Sequence, residues 1–351
     1  MHRPSLVRRT VSLIAALGAV ATLGLAAPAL ADDGPAPFNG DEASASQPVT
    51  VRVPLVTVPN NFGQSGVVRI RVGRSAPMPV ILDTGSTGLR LFPGALDRYR
   101  TGADVSQTRV STPNVGGQLR GYLASAPITI GGVTTTRDVG FQVIKNSSPW
   151  VQQWLDKGVY GILGTGTRSA PLPNPLLAMP GNAGQRWSIH FGGNPAKRIP
   201  GGGYLILGAE APADAVANLT LPPQGPDGFG ALLWNDHSAN GCWTVAKRRT
   251  VCLPTWFDSV ADRLTLSGPP FAGLPTDADG VVKSGIPIHL SAAGSTFNAW
   301  SVVTGTLPSF NLTTAKAKAP RVVNTGNRLY YDFTVTYDVV KGLISLSDPR
   351  N

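Results

Sequence analysis

The sequence predicts an all-β protein folded in two lobes, and three observations carry that prediction. The chain has 351 residues, of which 41 are Gly, 31 are Pro and only 14% are charged. That composition suits many short strands joined by tight turns, and helical patterns are scarce. About 320 residues follow an export-type leader, more than one hydrophobic core usually holds. A short motif in the first half also returns in the second, 175 residues later.

The elements follow in chain order. Residues 1–31 read as a secretion signal: Arg3, Arg8 and Arg9 form a positive start, an apolar stretch runs from Val11 to Ala27, and Ala29-Leu30-Ala31 has the small-x-small form of a cleavage site. A secreted protein is therefore expected, and the pair Arg8-Arg9 leaves twin-arginine export open beside the ordinary route. No other stretch approaches the ~20 apolar residues of a membrane span. Removal of the leader lowers the formal net charge from +10 to +7. Lys247-Arg248-Arg249 is the one dense basic cluster and has no interleaved aromatics, which fits a solvated loop and argues against a nucleic-acid partner. Residues 32–48 are small, polar and Pro-containing, and read as a disordered linker. Lobes are expected over 49–215 and 216–351, with the junction in the Ala/Pro/Gly-rich run 209–228.

Within the first lobe, alternation from Val49 to Leu55 and from Val67 to Val72 marks two strands. The Gly-rich stretch Pro113–Gly121, followed by Tyr122–Ile130, reads as a mobile hairpin with a glycine tip. Residues 148–158 read as one short helix, with Ser148 as N-cap, Pro149 in the first turn and Gly158 as the stop. Gly161-Ile-Leu-Gly164 and Gly201-Gly-Gly-Tyr-Leu-Ile-Leu-Gly208 are strands framed by glycines. The only two cysteines, Cys242 and Cys252, should pair in an exported chain. The three His after the leader stand at no ligand spacing, so no metal or other cofactor is expected.

The chemistry centres on Ile81-Leu-Asp-Thr-Gly-Ser-Thr-Gly-Leu-Arg-Leu-Phe-Pro93. A buried apolar strand delivers Asp83 into a turn opened by Gly85 and Gly88, with hydroxyls on Thr84 and Ser86. A buried carboxylate is costly unless hydrogen-bonded, and the donors accompany it. The repeat, Trp256-Phe-Asp-Ser-Val-Ala-Asp-Arg-Leu-Thr-Leu-Ser267, makes Asp258 the partner of Asp83 and Ser259 the partner of Thr84.

The order of these motifs resembles the pepsin-like aspartic proteases over nearly the whole chain after the leader, and the end, Gly326–Leu346, is similar to that family's final strands. The resemblance implies a two-lobed fold with a pseudo-twofold and a central cleft, a bacterial secreted monomer, and endopeptidase action on polypeptides by Asp83 and Asp258. It implies that the Thr84 and Ser259 hydroxyls cross between the lobes beside Gly85 and Ser86, and that Asn114, Gly116 and Gly117 belong to a flap over the substrate. A disulfide between Cys242 and Cys252 also matches the family.

Three departures stand out. Val260 replaces the Gly of the second motif, where a β-branched residue fits special backbone angles poorly. Ala261 stands where a hydroxyl usually supports the second aspartate. A flap Tyr is missing, its place falling near Asn114. Val260 and Ala261 favour an alternative, a catalytically weak or inactive module of this fold that binds peptide or protein in the cleft. They also predict that Asp258, short of one donor, holds the shared proton and that Asp83 is ionised.

Overall fold

The computed structural model describes residues 49–59, 64–114, 117–194, 199–306 and 313–349. The predicted signal, linker and Gly116 lie outside the described residues. The fold is two-lobed and all-β, with one long sheet and a separate seven-stranded sheet in the second half.

The same local topology builds both halves. In the first, Met78–Asp83 and Thr87–Leu91 flank the Asp83 turn, and Gly161–Thr165 lies between them, parallel to the former and antiparallel to the latter. In the second, Val251–Trp256 and Thr265–Ser267 flank the Asp258 turn, and Val322–Asn324 takes the inserted place in the same two orientations. The register gives Asn324 the position of Ile162: Ile162 lies opposite Ile81 and Arg90, Asn324 opposite Trp256 and Thr265. This is the internal repeat expressed as structure. Every residue of the inserted strand Gly161–Thr165 is buried, as a continuous apolar run in a central strand requires.

The long sheet does not stop at the expected junction. Ala217–Thr220, Leu343–Ser347 and Thr334–Asp338 continue it on the far side of Arg186–His190 and Gly202–Leu207, so the chain's last strands pair with the first half. Trp187 stacks on Tyr337 across this seam, ring centroids 5.9 Å apart, and both side chains are buried.

Local expectations fare well. The short helix is Pro149–Leu155, and Ser148 Oγ accepts from the Val151 N–H at 3.2 Å. The glycine-tipped hairpin exists, but its strands are Asp104–Asn114 and Gly117–Ala126. Of the stretch 122–130, Tyr122–Ala126 belongs to the second arm, which stops at Pro127, a residue without the N–H to continue the ladder, and Ile128–Ile130 pairs instead with Gln64–Val72. Arg248, expected to be a solvated loop residue, donates to the carbonyls of Pro270 (3.0 Å) and Ala272 (2.8 Å). No described helix is long and apolar enough to cross a membrane.

Cys242 and Cys252 face each other across the antiparallel pair Ala239–Val245 and Val251–Trp256 and form a disulfide. The second of these strands runs directly into Asp258, so the bond fixes its approach. Thiol titration of the folded protein should find no free thiol. Replacing both cysteines by serine should lower stability by about 3 kcal/mol in denaturant unfolding, the loop-entropy value for a closed loop this short. A loss below about 1 kcal/mol would show that the hairpin holds without the bond.

Candidate active site

The two aspartate turns are held face to face by crossed hydroxyls. The Thr84 N–H donates to Ser259 Oγ (3.0 Å) and the Ser259 N–H to Thr84 Oγ1 (2.9 Å). Each hydroxyl then donates onward to the carbonyl just before the opposite aspartate: Thr84 to Phe257 O (2.7 Å), Ser259 to Leu82 O (2.8 Å). Both side chains are fully or almost fully buried, at 1% and 0% exposure. Thr84 Oγ1 also contacts the Tyr330 hydroxyl at 2.8 Å, and Tyr330 contacts Tyr337 at 2.7 Å. Since Thr84 has given its one hydrogen to Phe257 O, Tyr330 must donate to Thr84, and Tyr337 to Tyr330. Burial holds both phenols protonated, their pKa values raised above the ordinary tyrosine range.

The structure brings Asp83 and Asp258 to the same glycine. Gly85 N–H donates to Asp83 Oδ1 at 2.9 Å, and a Cβ on Gly85 would lie 2.6 Å from Asp258 Cγ. Gly85 is therefore required for close approach, not for a left-handed turn. That conformation belongs to Gly88, at φ 87°. The Gly85 carbonyl is also anchored, accepting from Arg168 Nη2 (3.0 Å) and His237 Nε2 (3.1 Å). A carbonyl can only accept, so His237 carries its proton on Nε2. Burial first, then the Arg168 charge, lowers the His237 pKa to about 3, so the ring is neutral at ordinary pH. Arg168 itself pairs with buried Asp236 at 3.0 Å.

The surroundings of the two carboxylates differ. Asp83 accepts from Gly85 N–H and, at 2.5 Å, from the Ser86 hydroxyl. Asp258 Oδ1 accepts from the Val260 N–H (3.1 Å) and the Ala261 N–H (3.0 Å), and Oδ2 from the Asn324 side-chain amide (2.9 Å). The missing hydroxyl at Ala261 is thus replaced from a different strand. Burial, then the charge of Asp258, pushes the Asp83 pKa up to about 6, against the pull of Ser86, Arg90 and Gly85. The expectation that Asp258 is short of a donor is corrected: it accepts three hydrogen bonds, Asp83 two. Val260 is corrected too. Among described residues only Arg100 and Ala246 are non-glycines at positive φ, so Val260 imposes no backbone strain. Its side chain packs on the cluster that includes Ile81, Phe92, Leu119 and Trp154.

Sequence reasoning missed Asn324, Arg168 and Arg90. Buried Arg90 donates to Ser86 Oγ (3.1 Å), Thr112 Oγ1 (3.0 Å), Gly88 O (3.3 Å) and Thr87 O (3.1 Å). A signal existed for two of them. Arg90 interrupts the apolar run Leu89–Phe92, and aligning Val-Val-Asn-Thr-Gly326 with Gly-Ile-Leu-Gly164 would have put a polar Asn where Ile162 stands. Of the expected flap residues, Asn114 and Gly117 end the two hairpin strands. A concavity of about 910 Å³, lined by Arg69, Arg71, Arg74 and Lys157 among others, does not include the aspartates. Among the described residues no group of three His, Cys, Asp or Glu side chains is placed to hold a metal.

No protein-family model matches the chain, and no curated protein does. Among solved structures the chain is similar to an aspartic proteinase from Irpex lacteus, with 15% identity, a TM-score of 0.54, and alignment over 86% of this chain and 97% of that one. The likeness is one of fold: two lobes, all-β, pepsin-like.

Two predictions follow from this geometry. Thr84→Val removes three hydrogen bonds and leaves the buried Phe257 carbonyl and Ser259 N–H unpaired, so it should destabilise by about 2–4 kcal/mol, more than Ser259→Ala. Equal losses in denaturant unfolding would contradict the shared bonding. The second concerns pH. Asp83 has a folded pKa above its unfolded value of 3.8, so the native state binds more protons between 3.8 and about 6, and this group's contribution falls as pH rises through that window. His237, depressed to about 3, acts oppositely, its contribution being lost as pH falls. The stability of wild type minus that of Asp83→Asn should therefore decline from pH 4 to 7. A flat difference would refute the raised pKa.

Proposed function

We propose that the protein is an aspartic endopeptidase that hydrolyses peptide bonds with Asp83 and Asp258 as its catalytic pair. The observation that carries this reading is the approach of both carboxyls to Gly85, with turns locked by Thr84 and Ser259. Two carboxyls so close cannot both ionise cheaply and share a proton. The likeness to an aspartic proteinase structure supports the reading at the level of fold.

In the mechanism, Asp258 is the ionised member. Three N–H donors hold its charge, which leaves it a base that takes a proton from a water lying between the two carboxyls. Asp83, protonated, donates to the carbonyl oxygen of the scissile bond as the water oxygen attacks carbon. As the C–N bond breaks, the proton passed to Asp258 goes to the leaving amine, and one hydroxyl of the tetrahedral diol returns its proton to Asp83 as the carboxylic acid product forms, which restores the pair. The pair titrates as a unit, and activity falls as pH rises through about 6, where the second proton is lost. Both aspartates come from one chain, so the unit of function is a monomer with a polypeptide substrate. The Cys242–Cys252 bond supports an oxidising, extracellular setting. Ser86 and Arg168 are supporting residues, and Asn114, Gly116 and Gly117 are proposed for the flap.

The reading as a non-catalytic binder rested on Val260 and Ala261, and the two backbone N–H groups and Asn324 remove its basis. The test is hydrolysis of a denatured-protein mixture by the purified mature chain from pH 2 to 8. Cleavage is expected below about pH 6, abolished by Asp83→Asn and by Asp258→Asn, and reduced at least tenfold by Asn324→Leu, which removes one charge-assisted hydrogen bond. Absence of cleavage at every pH overturns the proposal, and cleavage by Asp258→Asn at the wild-type rate overturns the pair.

A further inference from the structure

Two arginines bond to the Asp83 turn, Arg90 at Ser86 and Arg168 at Gly85, and their charges are handled differently. Arg168 spends its charge on Asp236 at 3.0 Å. Arg90 is 6% exposed, and none of the ion pairs among the described residues includes it. Its four hydrogen bonds all go to neutral oxygens. A guanidinium cannot discard its proton to escape burial, so a buried one needs an opposing charge nearby. The carboxylate it faces is Asp83, reached through the Ser86 hydroxyl that Arg90 Nη1 and Asp83 Oδ2 share.

The other side of Arg90 points away from the aspartates. Its Nε–H donates to Thr112 Oγ1, whose hydrogen goes to Gln142 Oε1 at 2.8 Å. The Gln142 amide then donates to Val110 O (3.0 Å) and Leu119 O (2.8 Å), one carbonyl in each strand of the 104–126 hairpin. Thr112 and Gln142 are buried at 1% and 0% exposure. An unbroken chain of hydrogen bonds therefore runs from the Asp83 carboxyl to both arms of the hairpin, and Arg90 is its one cationic link.

We infer that Arg90 is a positioning residue, the fixed counter-charge of the Asp83–Asp258 pair and the strut that sets the hairpin relative to it. The inference rests on the proposed peptidase reading and adds a residue to it. The other charged and titratable groups facing the pair are accounted for: Arg168 is neutralised by Asp236, His237 is neutral, Asp262 lies toward Asp258, and the Tyr330 and Tyr337 hydroxyls stay protonated. Without Arg90 each ionisation of the pair is harder, so both limbs of the pH profile move to higher pH.

The test compares Arg90→Met, Arg90→Lys and Thr112→Val in the full mature chain, each checked for folding by near-UV circular dichroism. The Asp83 carboxyl is followed by carbon NMR with labelled aspartate, a readout that needs no turnover and so separates this inference from the peptidase reading. Arg90→Met should raise the Asp83 midpoint by on the order of one pH unit. It should shift both limbs of the kcat/KM profile upward alike. Arg90→Lys keeps the charge but not the fork, so it should restore the midpoint while KM stays raised several-fold. Thr112→Val should raise KM several-fold with the midpoint unmoved. An unchanged Asp83 midpoint in folded Arg90→Met overturns the counter-charge. A wild-type KM in both Arg90→Lys and Thr112→Val overturns the strut. If Arg90→Met does not fold, Arg90→Lys decides: a raised KM at an unshifted midpoint supports the inference, and a midpoint that moves as KM stays put refutes it.

Discussion

Everything in the site depends on the exchange of hydroxyl bonds between Thr84 and Ser259. Each hydroxyl receives a hydrogen from the opposite turn and gives its own to the carbonyl that precedes the opposite aspartate. Neither carboxyl is therefore positioned by its own lobe alone. The Leu82–Asp83 and Phe257–Asp258 peptides are pinned from across the cleft, in a buried setting where an unmade bond costs the full desolvation of the group. Two sequence-distant turns become one rigid object, and the near-contact of Gly85 with Asp258 follows from it.

On that frame the two aspartates are equivalent in topology and unequal in chemistry. Ser86 and one backbone N–H serve Asp83, while two backbone N–H groups and Asn324 serve Asp258. A repeat that has diverged this far keeps the crossed hydroxyls and changes what surrounds them. The first turn gains a buried cation behind its serine. The second replaces a turn hydroxyl by an amide arriving from the inserted strand. The chemical difference between the two carboxyls lies in these additions.

Much of this frame is legible in the sequence, because it is written in local signals: an apolar run ending in Asp-Thr-Gly-Ser, a second Asp-Ser behind Trp-Phe, a Ser-Pro helix start, two cysteines ten residues apart. What escaped was non-local. Asn324 meets Asp258 from 66 residues away, and Arg168 meets Gly85 from 83. Gly85 was read as a turn glycine because its neighbour across the cleft cannot be seen along the chain. Val260 was read as a broken turn because its backbone conformation was inferred from residue type, and the fold does not ask that position for positive φ. Arg90 was visible as an anomaly between two leucines but had no partner until the hairpin was placed.

The sheet that joins the halves has a further consequence, in the order of assembly. Thr334–Asp338 pairs with Arg186–His190, and Leu343–Ser347 with Ala217–Thr220, so these strands complete a sheet whose first strand is Val51–Pro59. Closing such loops before their contacts repay them makes folding slow and dominated by long-range pairing. The first half stays open at that edge until residues 334–347 are in place. Tyr330 and Tyr337, which buttress Thr84, arrive at the same late moment. A chain cut short anywhere before this segment lacks both the last strands and the buttress, so the aspartate pair is assembled only in the finished polypeptide.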